Sequence, residues 1–231
     1  MPKKGTSKKV YLAVILLVII IAATVAIVYA TQFSPKKTTA TQVGVHVGDS
    51  FTYKLTGESV LGSLDAITPS SFYIFNETDY YKVTVTGIDG TKVSLATVWA
   101  LTNGTQMTGP QIIDISNGNT TDGRGFWALY PANLKVNDLI SPKGFDGIIV
   151  NKTDTKTYAD STRTRGFWQI ENQFRDINDP TGNTMRDDYI GVYFDQQTGM
   201  LDTLTNIQFY NNPQYNLIIT WQLISSSVWK V

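Results

Sequence analysis

Tyr81-Lys82-Val83-Thr84-Val85-Thr86-Gly87-Ile88-Asp89-Gly90 places an apolar residue at every second position and then ends in a turn. Successive side chains of a strand point to opposite faces, so this alternation fits a β-strand with one buried face rather than a helix of period 3.6. Gly87-Ile88-Asp89-Gly90 supplies the positive φ that a tight hairpin needs. Lys92 to Trp99 resumes the pattern, with Val93 and Leu95 on one face, and Asn103-Gly104 marks the next turn.

The same reading spreads in both directions. Further strand candidates are residues 51–56, 111–115, 138–140, 147–150, 164–170, 189–194, 201–207 and 217–224, with Asp195-Gln196-Gln197-Thr198-Gly199 as a turn between two of them. Runs suited to helix are short; Val60 to Ile67 is the best, and it stops before Pro69. Many short strands separated by Gly, Asn and Asp turns predict one antiparallel β domain over residues 43–231, either a sandwich or a strongly curved single sheet.

Ahead of that domain, residues 10–30 form an unbroken apolar run, with Lys3, Lys4, Lys8 and Lys9 just before it. At about 1.5 Å per residue a helical run of this length spans a bilayer core of roughly 30 Å. Lysines on one flank hold that flank in the cytoplasm. The expected layout is a cytoplasmic basic segment at 1–9, a transmembrane helix at 10–30, a tether at 31–42 and an extracellular domain beyond. Fully extended, the 12-residue tether reaches at most about 40 Å. Two alternatives use the same run. Val28-Tyr29-Ala30 would pass as a signal-peptide cleavage site before Thr31, although such cores are usually shorter. Lys3-Lys4-Gly5 looks like the leader of archaeal type IV pilins, cut after the glycine so that the mature chain starts at Thr6. Lys8-Lys9 then departs from the pattern, because two charges among packed apolar helices are costly.

The 231-residue chain is formally neutral, but six of its 19 basic residues precede Thr38 and all 19 acidic residues follow it. The domain therefore carries a net charge of −6, which argues against nucleic acid as a partner. There is no cysteine, so disulfides, thiol catalysis and Cys-based metal sites are excluded. The single histidine, His46, sits among alternating valines at 43, 45 and 47 and is expected to face away from them. Gly-x-Ser-x-Gly, a phosphate loop and His-based metal motifs are all missing. Three glutamates (Glu58, Glu77 and Glu171) with Asp179 or Asp188 leave a carboxylate pair for a surface hydrolase open, though nothing singles one out.

The tetrapeptide Arg-Gly-Phe-Trp occurs twice, at Arg124–Trp127 and Arg165–Trp168. Two similar strands would explain the repeat, with Phe and Trp on opposite faces and Arg at the mouth. The functional reading is an aromatic platform of Trp127 and Trp168 flanked by Arg124 and Arg165, since indole faces bind the apolar faces of sugars and cations. Asn-x-Ser/Thr sequons at Asn76, Asn103, Asn119 and Asn151 mark glycosylation candidates if the domain is exported. Asp176, Asn178 and Asp179 are weak calcium candidates, because Pro180 breaks the EF-hand spacing and Asx residues favour turns without metal. No cofactor is expected.

The order of short motifs resembles an uncharacterised family of archaeal single-pass membrane-anchored surface proteins. The elements that carry the resemblance begin with Val47-Gly48-Asp49-Ser50-Phe51-Thr52-Tyr53, Tyr81–Gly90, Asn103-Gly104-Thr105 and Ile113-Asp114-Ile115-Ser116. Ala132-Asn133-Leu134-Lys135-Val136-Asn137-Asp138, Val150-Asn151-Lys152-Thr153 and Tyr193-Phe194-Asp195-Gln196-Gln197-Thr198-Gly199-Met200-Leu201 complete them. Asn137 departs from it, where such proteins tend to carry glycine. The resemblance implies a β framework held at the cell surface by its N-terminal helix, and attaches no activity. Taken together, the sequence predicts a non-enzymatic surface domain for binding or envelope organisation. Its expected partners are the bilayer through residues 10–30 and a cell-wall glycan or surface protein. A pilin-like subunit and a carboxylate-pair hydrolase are the alternatives.

Overall fold

A computed structural model of the chain describes residues 41–121, 125–175, 181 and 185–231. The chain divides into two compact units, and the second, Ala40–Val231, holds all of them. The basic segment, the apolar run at 10–30 and the tether up to residue 40 lie outside the described residues. Among the described residues no helix is long and apolar enough to cross a membrane. Gln42, the last residue of the expected tether, is already held: its carbonyl accepts from Ala132 N and its side chain from Asn133 Nδ2.

The strands are β1 (Ser50–Leu61), β2 (Thr78–Asp89), β3 (Lys92–Leu101), β4 (Gln106–Asp114), β5 (Asn119–Thr121), β6 (Lys152–Thr157), β7 (Thr162–Arg175), β8 (Met185–Asp195), β9 (Leu201–Asn211) and β10 (Gln214–Ser226). All pair antiparallel in one sheet, ordered β5-β4-β3-β2-β1-β10-β9-β8-β7-β6. This is two meanders joined at their long inner strands, β1 and β10, which pair from Phe51↔Ser226 to Leu61↔Tyr215. The strands therefore form one open sheet with β5 and β6 at its edges, and not the two stacked sheets of a sandwich.

The alternation seen in the sequence sets the covered face. Phe51, Tyr53 and Leu55 on β1, Tyr81, Val83 and Val85 on β2, and Val93 and Leu95 on β3 are all buried. A single sheet cannot bury such a face alone. The connection between the two meanders supplies the second layer, because it must travel from the β5 edge to the β6 edge. Phe126 packs against Tyr53, Tyr81 and Trp221 at 5.6, 6.3 and 6.2 Å between ring centroids, so one side chain covers three adjacent strands. Tyr130 packs against Phe194 at 5.0 Å, and Leu134, Ile140 and Val150 are buried along the same path.

Two strand expectations fall inside this connection, and the structure corrects both. Residues 138–140 and 147–150 contribute only the isolated bridge Leu139↔Ile149. Asn133 and Asn137 take φ of 61° and 71° here, a left-handed conformation that asparagine tolerates better than most residues. The helix expected at 60–67 is corrected as well. Val60 and Leu61 belong to β1, and the helix is a 3₁₀ turn at Ser70–Phe75 that starts after Pro69. Pairing with β10 outweighs local propensity at Val60 and Leu61. Phe72 then joins Tyr210, Tyr215 and Leu217 in a second, smaller apolar cluster.

β2 pairs with β1 only over residues 50–53 of β1. Beyond Tyr53 the β2-facing edge of β1 lacks a strand partner, and Asn76 fills part of the gap. Its Oδ1 accepts from Gly57 N at 2.8 Å while its Nδ2 donates to Gly57 O at 2.7 Å.

Candidate functional site

The repeated tetrapeptide converges at one place. Trp168 lies on β7 among the residues that face the core, and is only 2% exposed. Gly166 precedes it on the same face, and a Cβ there would collide with the ring of Phe194, so the glycine of this copy is set by close packing. The first copy lies outside the strands, in the connection, where Gly125 has φ of 93° and Phe126 is buried. Two similar strands are thus not the origin of the repeat. The two copies do meet: Trp127 lies 5.9 Å from Trp168, tilted by 48°. Trp127 is 39% exposed. Trp168 also packs at right angles against Tyr130, with ring centroids 6.1 Å apart. Burial raises the Tyr130 phenol well above its ordinary pKa, with the Trp168 indole offsetting part of that rise. The result is one exposed indole seated on a buried aromatic support, a surface suited to stacking on the apolar face of a sugar or on a peptide side chain.

Arg165 is not part of that surface. It sits three residues before Trp168 on a strand and so points to the other face. Its Nε and Nη2 both donate to Asp154 at 2.9 Å, and Nη1 donates to Asp202 at 2.7 Å. Asp202 also accepts from Lys156 Nζ at 3.0 Å and from the Tyr158 hydroxyl. Beside it, Arg163 donates through Nε and Nη2 to Asp195 at 2.7 and 2.8 Å. Asp195 further accepts from Thr198 N and Oγ1, which fixes the turn between β8 and β9. Burial pushes the Asp202 carboxyl up, but donors from Tyr158, Arg165 and Lys156 outweigh it and hold the group below its ordinary pKa. Three cations face three carboxylates, so the cluster is internally neutral. It fastens β6, β7, β8 and β9 and leaves Arg165 no free donor fork for a ligand. A polar groove of about 330 Å³ borders the cluster, lined in part by Asn133, Thr164 and Gln197.

Arg124 lies outside the described residues, as do Asp176, Asn178 and Asp179. Among the described residues no group of three or more His, Asp or Glu could hold a metal ion. His46 is exposed in the turn before β1, its backbone N–H donating to Asp49 Oδ2 at 2.7 Å. All four sequon asparagines are exposed; Asn103, Asn119 and Asn151 lie in or beside hairpin turns and edge strands, and the side chain of Asn76 is bound to Gly57 as described.

Asp154 and Asp202 were not singled out by the sequence, and Asp195 was read only as part of a turn. A signal was present: charges alternate at 152, 154 and 156 and again at 163 and 165, the pattern of two charged strand faces across a short turn. Asp202 itself carried no such mark. Comparison of the chain with protein-family models and with curated protein sequences finds no match.

Proposed function

We propose that this chain is a membrane-tethered surface protein whose β domain binds a ligand through Trp127 and performs no catalysis. The observation that carries the reading is the Trp127–Trp168 pair. A partly exposed indole packs, tilted, against an indole that the core holds rigid, and such pre-ordered aromatic surface loses little entropy on binding. Supporting the surface location is the run at 10–30 behind its lysines. The ligand class is a cell-envelope glycan or a surface peptide, taken up by stacking and not by the ion cluster, whose cations are already paired. Arg165 keeps a positioning role in this reading, holding β7 against β6 and β9.

The test is retention of the detergent-solubilised full chain on purified envelope glycan and on envelope protein, with Trp127→Ala beside it. The variant is expected to lose at least about tenfold in affinity, the loss of one stacked aromatic at 1.4 kcal/mol or more. Equal retention of both proteins would remove Trp127 from the site. Trp168→Phe, which keeps the support, is expected to bind nearly as the parent does.

A further inference from the structure

The four sequons are alike in sequence and unlike in structure. At Asn103, Asn119 and Asn151 the asparagine, the middle residue and the threonine are all exposed. Asn103 tips the β3–β4 hairpin, where its Oδ1 accepts from Thr105 N at 2.9 Å. Asn151 Oδ1 accepts from Gln169 N at 2.9 Å. In each case the Nδ2 atom makes no hydrogen bond within the described residues. Asn76 differs at both ends of its sequon. Thr78 is 8% exposed, with its hydroxyl donating to Ile74 O and accepting from Trp99 Nε1, both at 2.7 Å. The amide of Asn76 spans the N–H and C=O of Gly57, as a neighbouring strand would.

That two-point contact decides the chemistry available to Asn76. Oδ1 and the donating hydrogen must lie on the same edge of the amide, so the hydrogen used is the one cis to the oxygen. An N-linked sugar replaces one amide hydrogen, and in the trans amide the substituent carbon stands cis to the oxygen. The sugar would occupy the place of the hydrogen that bonds Gly57 O. Keeping the contact would require a cis amide, which is strongly disfavoured.

We infer that Asn103, Asn119 and Asn151 carry N-linked glycan and that Asn76 is kept unmodified as a strand substitute sealing β1. The inference rests on the surface location proposed above. Each transfer forms a bond between asparagine Nδ2 and the anomeric carbon of a sugar on a lipid-linked phosphate donor. The amide gives up a proton, and the lipid phosphate leaves with the bonding electrons. The three positions share a second property. Asn119 opens the edge strand β5, Asn103 sits at the hairpin beside the free edge of β4, and Asn151 directly precedes the edge strand β6. An open sheet exposes unpaired backbone groups at both edges, and these invite edge-to-edge association. A hydrated sugar at each edge blocks such pairing.

The experiment is peptide mapping by mass of the full chain from its native membranes, with protease treatment of intact cells in parallel. The expected result is sugar mass on the peptides of Asn103, Asn119 and Asn151 and none on that of Asn76. Sugar on Asn76, or bare asparagine at the other three in a chain that external protease cuts, overturns the inference and leaves the surface location standing. Bare asparagines in a chain that protease cannot reach overturn both. The triple variant Asn103→Gln, Asn119→Gln, Asn151→Gln is expected to shift from one species to larger assemblies in light scattering; an unchanged size would refute the shielding role.

Discussion

Asp202→Asn is the sharpest perturbation of this fold. The substitution keeps shape and one acceptor but removes the charge that Lys156 and Arg165 share, and it turns an amide N–H₂ toward a cation. The Asp202 side chain is 0% exposed, while Arg165 and Lys156 are 15% and 31% exposed. Removing one partner of a buried ion pair costs about 3–5 kcal/mol. Partial hydration of the two cations moves the expectation to the low end, about 3 kcal/mol. For a domain of this size each kcal/mol lowers the melting temperature by about 2–4 °C, so a drop of roughly 6–12 °C is expected. Tryptophan emission during thermal unfolding of the full chain reads it directly, since Arg163, Lys156 and Tyr158 pack around Trp229 or one another. The pH dependence has a definite sign. The Asp202 carboxyl is held below its ordinary value in the folded chain. Its contribution is therefore full above the unfolded pKa of about 3.9 and is lost as pH falls through the lowered folded value. Parent and variant should converge in acid and separate at neutral pH. A neutral-pH difference below about 1 kcal/mol, the range of an exposed pair, would refute the reading that the cluster fastens β6 to β9.

Further expectations rest on other residues. Gly166→Ala should lower stability by about 1–3 kcal/mol in urea unfolding, because the added methyl meets the Phe194 ring in a packed layer. Asn76→Ala should lower it by about 0.5–1.5 kcal/mol by removing an exposed two-point contact with Gly57; a neutral result would mean water replaces the amide. Burial raises the Asp188 carboxyl above its ordinary value, against the pull of Arg186. Its favourable contribution is present below the unfolded pKa and is lost as pH rises through the folded value, so Asp188→Asn should gain relative to the parent between about pH 3.5 and pH 7. Midpoints of urea unfolding at the two pH values would show it, and a relative loss would contradict it.

The strands were legible where one face is apolar. Phe51 to Leu55, Tyr81 to Val85 and Val93 to Leu95 alternate cleanly because water lies on one side of them and the core on the other. Gly90, Gly104 and Gly199 marked turns through the positive φ they adopt. β6, with Lys152, Asp154 and Lys156 between threonines, was not legible, because its partly covered face carries charged residues and so has no apolar face to display. The 125–151 connection misled for the opposite reason. Its Leu139, Ile140, Ile148 and Val150 carry strand-like composition but take their place in a packed layer over the sheet. The site was legible as a repeated tetrapeptide, since the chance of recurrence is small. The meeting of Trp127 with Trp168 was not, since it depends on where the connection crosses. Arg165 was read as a ligand contact because its carboxylate partners, Asp154 and Asp202, are 11 and 37 residues away.

The joining of β1 to β10 sets a schedule for the growing chain. Strand β1 is complete by residue 61, yet its long partner begins only at Gln214. A chain that is made from its N-terminus must hold β1 with half a neighbour until almost every other residue has arrived. Pairings so distant in sequence are slow to form, and the waiting intermediate exposes Leu55, Tyr53 and an unpaired strand edge. Loss of the chain from Gln214 onward would then leave the sheet divided in the middle rather than trimmed at a border. A chaperone would meet the first meander as an unfinished object for as long as synthesis of the second one lasts.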